Sequence, residues 1–78
     1  MLSDLWGLGA GESARLRGEL PPGVTGRRLA EMGFVPGVRV VCLQKRRAIA
    51  AYALRVAAVA LRKGDARLVA VERDEPWA

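Results

Sequence analysis

"RRLAEMGFVPGVRV", residues 27–40, decides how this 78-residue chain folds, because within fourteen positions the pattern changes from helical to extended. Leu29 and Met32 stand three apart as a short apolar stripe, while Arg28 and Glu31 fall on the wet side of the same helix. Gly33 stands where a helix needs a residue at positive φ in order to stop. Phe34 and Val35 follow, placed to fold back on the stripe. Pro36-Gly37 suits the central pair of a type II turn, since proline presets the first φ and glycine accepts the positive second one. A strand then begins at Val38: "VRVVCLQ", 38–44, is strongly β-branched.

Working upstream, the helix starts at Val24 with Thr25 as its N-cap, after a loop made by Pro21-Pro22-Gly23. "ESARLRGEL", 12–20, alternates, with Ala14, Leu16, Gly18 and Leu20 on one side and Arg15, Arg17 and Glu19 on the other, as a half-buried strand does. "MLSDLWGLGAG", 1–11, carries a Ser3-Asp4 cap signal and reads as one helical turn and a loop, with Leu2, Leu5 and Trp6 covering one end of the core.

Downstream, "KRR", 45–47, is a basic surface tip. "AIAAYALRVAAVAL", 48–61, is ambiguous. Its alanines, and Ile49, Tyr52, Val56 and Val59 at helical spacing, slightly favour a helix. Alternation of Tyr52, Leu54 and Val56, then of Val59 and Leu61, is that of two paired strands. "RKGD", 62–65, signals a turn, "ARLVAVER", 66–73, a strand, and 74–78 a frayed tail. The chain is thus one domain over 1–73.

A chain of this mass exposes roughly 4,600 Å² folded against about 12,000 Å² unfolded, which supports one small core and no deep pocket. Histidine is absent and Cys42 is the sole cysteine. The commonest general base and the commonest transition-metal ligand are therefore missing, and no disulfide can close within the chain. These absences point to a non-enzymatic protein of a reducing, cytoplasmic setting, with no catalytic residue, no resident metal and no cofactor. Cys42, in a valine-rich strand, reads as a small core residue. Gly7, Gly9 and Gly11 follow no strand and precede no Lys-Ser or Lys-Thr, so they do not make a phosphate loop. The start of the chain has no signal-peptide pattern, and the longest nearly uncharged run is too short to span a bilayer.

Thirteen Lys and Arg against eight Asp and Glu give a net charge of +5. Arg15-Arg17, Arg27-Arg28, Lys45-Arg46-Arg47 and Arg62-Lys63 could line one face toward phosphates. Trp6, Phe34, Tyr52 and Trp77 are too scattered to be a base-stacking platform, so nucleic acid is a rival partner and not the first one.

"LAEMGFVPGVRVVCL" resembles the Leu-x-x-Met-Gly-Phe/Leu-x-Pro-Gly-x-x-Val motif of the FeoA family, small cytosolic accessory proteins of bacterial ferrous iron transport. The match falls on Leu29, Met32, Gly33, Phe34, Pro36 and Gly37. Leu2-Ser3-Asp4-Leu5, Gly11-Glu12, Arg28 and "VALRKGDARLVAVE", 59–72, are similar to flanking features of the family. Ala48–Ala51 and Ala57-Ala58 depart from it, where the family has a Gly-Asp-Pro-type loop and a glycine.

The resemblance implies a mainly β fold: an SH3-like five-stranded barrel with one short helix between strands 1 and 2, in which 48–61 becomes two strands. It also implies a partner, the cytoplasmic part of a FeoB-type membrane GTPase transporter. The docking face expected on that ground is Arg27, Arg28, Phe34 and Val35, with Leu29, Met32, Gly33, Pro36 and Gly37 structural. Membrane insertion is not expected, and self-association is left open. The rival readings are a nucleic-acid-binding barrel and a detached copy of the SH3-like domain that ends metal-dependent repressors. A GTPase effector or a direct iron carrier has less support.

Overall fold

In the computed structural model, which describes residues 2–55 and 57–74, six antiparallel strands form one sheet in the order β1-β6-β2-β3-β4-β5. The elements are β1 (Leu2–Asp4), a single 3₁₀ turn (Leu5–Gly7), β2 (Ser13–Leu16), α1 (Gly23–Glu31), β3 (Arg39–Lys45), β4 (Ile49–Ala53), β5 (Ala58–Arg62), α2 (Lys63–Ala66) and β6 (Ala70–Arg73). The ladder does not close, and β1 and β5 are its edges.

The strand count is six and not five, since Leu2–Asp4 pairs with β6 in the register Leu2↔Glu72, Ser3↔Val71 and Asp4↔Ala70. The helix consequently lies between the second and third strands. A three-residue strand has too little periodicity to be read locally; its partner, some 68 residues away, makes it. The helical turn expected nearby is the 3₁₀ turn, where the Asp4 carboxylate accepts from the Gly7 N–H at 2.9 Å. Leu2 is exposed, while Leu5 and Leu8 close the core and Trp6 packs against it, partly buried.

The short helix stops as its glycine dictates. Gly33 N–H donates to the Ala30 carbonyl and Phe34 N–H to the Leu29 carbonyl, with Gly33 at φ 109°, a Schellman ending. Its start differs from expectation: Gly23 at φ 85° turns the chain out of Pro21-Pro22, and Pro22 occupies the N-cap without a side-chain hydrogen bond, so Thr25 lies within the first turn. The Val35–Val38 turn closes through the Val38 N–H to the Val35 carbonyl, with Gly37 at φ 84°. Gly37 N–H to the Leu16 carbonyl and Leu16 N–H to the Val38 carbonyl, both 2.9 Å, fasten this turn to β2.

Within 48–61, Ile49–Ala53 and residues 58–61 form strands against their alanine propensity, while Val56 of the expected pattern lies outside the described residues. Ile49↔Arg62 through Ala53↔Ala58 pair β4 with β5, and the period of two turns Ala50, Tyr52 and Leu61 into the core. Helix propensity is worth only tenths of a kcal/mol per residue, whereas burying side chains such as Tyr52 and Leu61 is worth about 1.5–3 kcal/mol each. The tertiary term wins. A register shift between Cys42 and Gln44 bends β3 where it pairs with β4.

Three expectations near the end of the chain are corrected. "RKGD" is not a simple turn but leads into the four-residue α2, and the last strand begins at Ala70 and not at Ala66. Ala66 and Val69 are buried as the chain turns. Asp74 is not frayed, because its N–H donates to the Ser13 carbonyl and its carboxylate accepts from the Ser13 hydroxyl. Residues 75–78 of the expected tail lie outside the described residues.

Candidate functional site

The expected docking face separates into two kinds of residue. Arg27 and Arg28 are exposed on α1, and Val35 is 47% exposed beyond its end. Phe34 is 0% exposed and belongs to the core with Leu29, so it cannot meet a partner at the rim. The Schellman ending causes this, because it returns the residue after Gly33 to the helix's apolar side. Met32 is half-buried against the core, and Gly33, Pro36 and Gly37 serve the helix end and the turn. Arg28 also edges a crevice with Thr25, Leu29, Met32, Leu61 and Asp65, too small at about 10 Å³ for a ligand.

A larger concavity lies beside the Pro36-Gly37 turn. It measures about 410 Å³, within the range of small binding sites, and Gly37, Val38, Val41, Ala53 and Leu54 line it with three arginines, Arg15, Arg39 and Arg55. β2 supplies Arg15 and β3 supplies Arg39, opposite one another in the sheet. The Arg15 guanidinium donates to the Gly37 carbonyl at 3.3 Å. Arg39 donates to the Ser13 hydroxyl at 3.3 Å and lies 3.4 Å from the Asp74 carboxylate.

Sequence reasoning placed Arg15 among the basic pairs and passed over Arg39 and Arg55. The signal for Arg39 is its position at the head of the strand launched by Pro36-Gly37; its facing partner follows only from strand register.

Both lysines of the chain, Lys45 and Lys63, stand over the Trp6 ring, 4.8 and 5.6 Å from its centroid. Lys45 also donates to the Trp6 carbonyl at 2.5 Å. These contacts tie the 3₁₀ turn to the β3 end and to α2, a structural use of cation–π attraction. Cys42 is fully buried, and burial pushes its thiol up from the ordinary value, so it is a poor nucleophile. Among the described residues no three of Cys, Asp and Glu gather to hold a metal ion. No helix among them is long and apolar enough to cross a membrane.

The FeoA domain family matches residues 4–73. No curated protein matches the chain by sequence. Among solved structures, an iron uptake regulatory protein (FeoA) is similar over 95% of this chain and 100% of its own, with 23% identity and a TM-score of 0.88. Stenotrophomonas maltophilia FeoA complexed with zinc, described as a prokaryotic SH3 domain protein, is 27% identical over 88% of each chain, with a TM-score of 0.78. A manganese-dependent transcriptional repressor shares the fold at 19% identity and a TM-score of 0.82; the match covers 94% of this chain and 42% of the repressor.

Proposed function

This chain belongs to the FeoA family, small SH3-like β domains associated with ferrous iron transport, and from that premise we propose that it is a non-catalytic accessory protein of bacterial Fe(II) uptake. It acts in the cytoplasm by docking on the cytoplasmic region of a FeoB-type membrane GTPase transporter and supports or regulates transport there. The observation that carries this reading is the family match over residues 4–73, which takes in every described strand and helix but part of β1.

Arg27, Arg28 and Val35 remain the proposed contacts of the helix edge. They are exposed, charged beside apolar, and held by a helix end whose geometry its glycine dictates. Fe(II) is the cargo of the transporter in this reading, not a resident of the domain.

The test is co-purification of a ferrous transporter from membranes of the source cell, with complementation of a strain lacking the gene under ferrous limitation. The wild-type chain is expected to capture the transporter and restore growth. An Arg28→Glu, Val35→Asp double variant that keeps the wild-type circular dichroism spectrum is expected to do neither. Failure of the wild-type chain to capture the transporter overturns the proposal.

A further inference from the structure

Arg15 and Arg39 are direct cross-strand partners on the outer face of β2 and β3, the position in which like charges destabilise a sheet. Together with Arg55, in the loop after β4, they rim a groove that no carboxylate lines. The compensation available within the fold is partial. Arg39 is shared between Ser13 and Asp74. Arg15 turns back to the carbonyl of Gly37, and Glu72, its neighbour across β6, is engaged by Arg17. Arg55 makes no ion pair among the described residues. Aliphatic side chains line the same groove: Val38, Val41, Ala53 and Leu54.

We infer that this groove binds an acidic peptide segment of a partner protein, one carboxylate held by Arg15 and Arg55 and a neighbouring aliphatic side chain seated on Val38, Val41 and Leu54. The inference rests on the reading above that the chain works by docking, and it names a second docking surface apart from the helix edge. Charge complementarity selects the occupant, since guanidinium forks match carboxylate geometry and interfacial charge sets register and partner. A nucleic acid fits less well, because neither Trp6, Phe34 nor Tyr52 lines the groove and single strands bind through stacking on aromatic rings.

The probe is the peptide acetyl-Glu-Asp-Leu-Glu-Asp-amide, titrated into ¹⁵N-labelled protein at low salt, with its all-lysine counterpart and an oligothymidylate as controls. Saturable shifts are expected at the amides of Gly37, Val38, Arg39, Ala53 and Leu54 with the acidic peptide alone. Arg15→Gln and Arg55→Gln, each keeping the wild-type amide dispersion, are expected to weaken binding at least about ten-fold, since each removes a charge-assisted contact. Absence of saturable shifts, unchanged affinity in both variants, or tighter binding of oligothymidylate at the same amides overturns the inference. Equal capture of the transporter by wild type and groove variants would remove the groove from that docking and leave the proposed function standing. Capture failing with wild type would instead overturn the proposed function, while the peptide titration still decides the groove.

Discussion

The hydroxyl of Tyr52 in β4 donates to the carbonyl of Leu5 in the 3₁₀ turn at 3.1 Å, with both residues at 0% exposure. One hydrogen bond thus anchors the alanine-rich hairpin to the start of the chain, 47 residues away. Leu5 also accepts from the Leu8 N–H, so its carbonyl keeps a partner when the hydroxyl is removed. Tyr52→Phe is therefore expected to lower stability by about 1 kcal/mol in urea denaturation, without altering the fold. A loss above about 3 kcal/mol would contradict this account.

Burial pushes the Tyr52 phenol up from 10 to about 12, with the Cys42 and Asp4 charges adding to the rise. The folded pKa lies above the unfolded one, so the contribution is whole below pH 10 and is lost as pH climbs from 10 toward 12. Up to about 1.4 kcal/mol per pH unit is expected there, and Tyr52→Phe should flatten that alkaline limb of the stability profile.

On the acid side Glu12 is held below the usual carboxylate range, first by the Gly9 N–H and then by Arg73. A depressed pKa gives stability that is present above the unfolded value near 4.5 and lost as pH falls through the folded value. Glu12→Gln should therefore shrink the loss of stability on acidification below pH 4.5, measured as the thermal midpoint against pH.

Gly26 lies in α1 beneath the Pro21 loop, and a Cβ added there would overlap the Pro21 carbonyl oxygen and stand 3.0 Å from its carbon. Alanine ordinarily improves a helix interior by up to about 1 kcal/mol over glycine. Here the sign should invert: Gly26→Ala is expected to destabilise by about 2 kcal/mol or more, because backbone must move. A stabilised variant in denaturant titration would refute the close approach.

Phe34 and Val35 are sequence neighbours with opposite consequences. Phe34→Ala is expected to lower stability by about 3–5 kcal/mol through the cavity left in the core. Val35→Ala should change it by about 0.5 kcal/mol or less while weakening capture of the transporter. Chemical denaturation and co-purification, measured side by side, separate the two roles.

Much of the central motif was legible because its demands are local. A helix that must stop needs positive φ, which Gly33 supplies, and a tight turn into a strand needs Pro36 followed by a second positive φ at Gly37. The family resemblance rests on those same residues and implied two strands within 48–61 where local propensity leaned the other way. The expected docking role of Phe34 failed for an instructive reason: a residue just past a helix stop can face solvent or core, and the capping hydrogen bond to Leu29 decides between them. Arg39 and Arg55 drew no notice, since a single arginine in a strand is ordinary until its cross-strand neighbours are known.

Taken alone, the sequence determined the helix end, the turn, the strand after it, the family, and the absence of histidine. Each of these follows from what one residue type permits at one place in the chain. Tertiary structure decided the rest: the edge strand Leu2–Asp4, the paired alanine-rich strands, the burial of Phe34 and the juxtaposition of Arg15 with Arg39. Those depend on partners far apart in sequence, and pairing and burial energies of whole strands exceed the tenths of a kcal/mol by which local preference speaks.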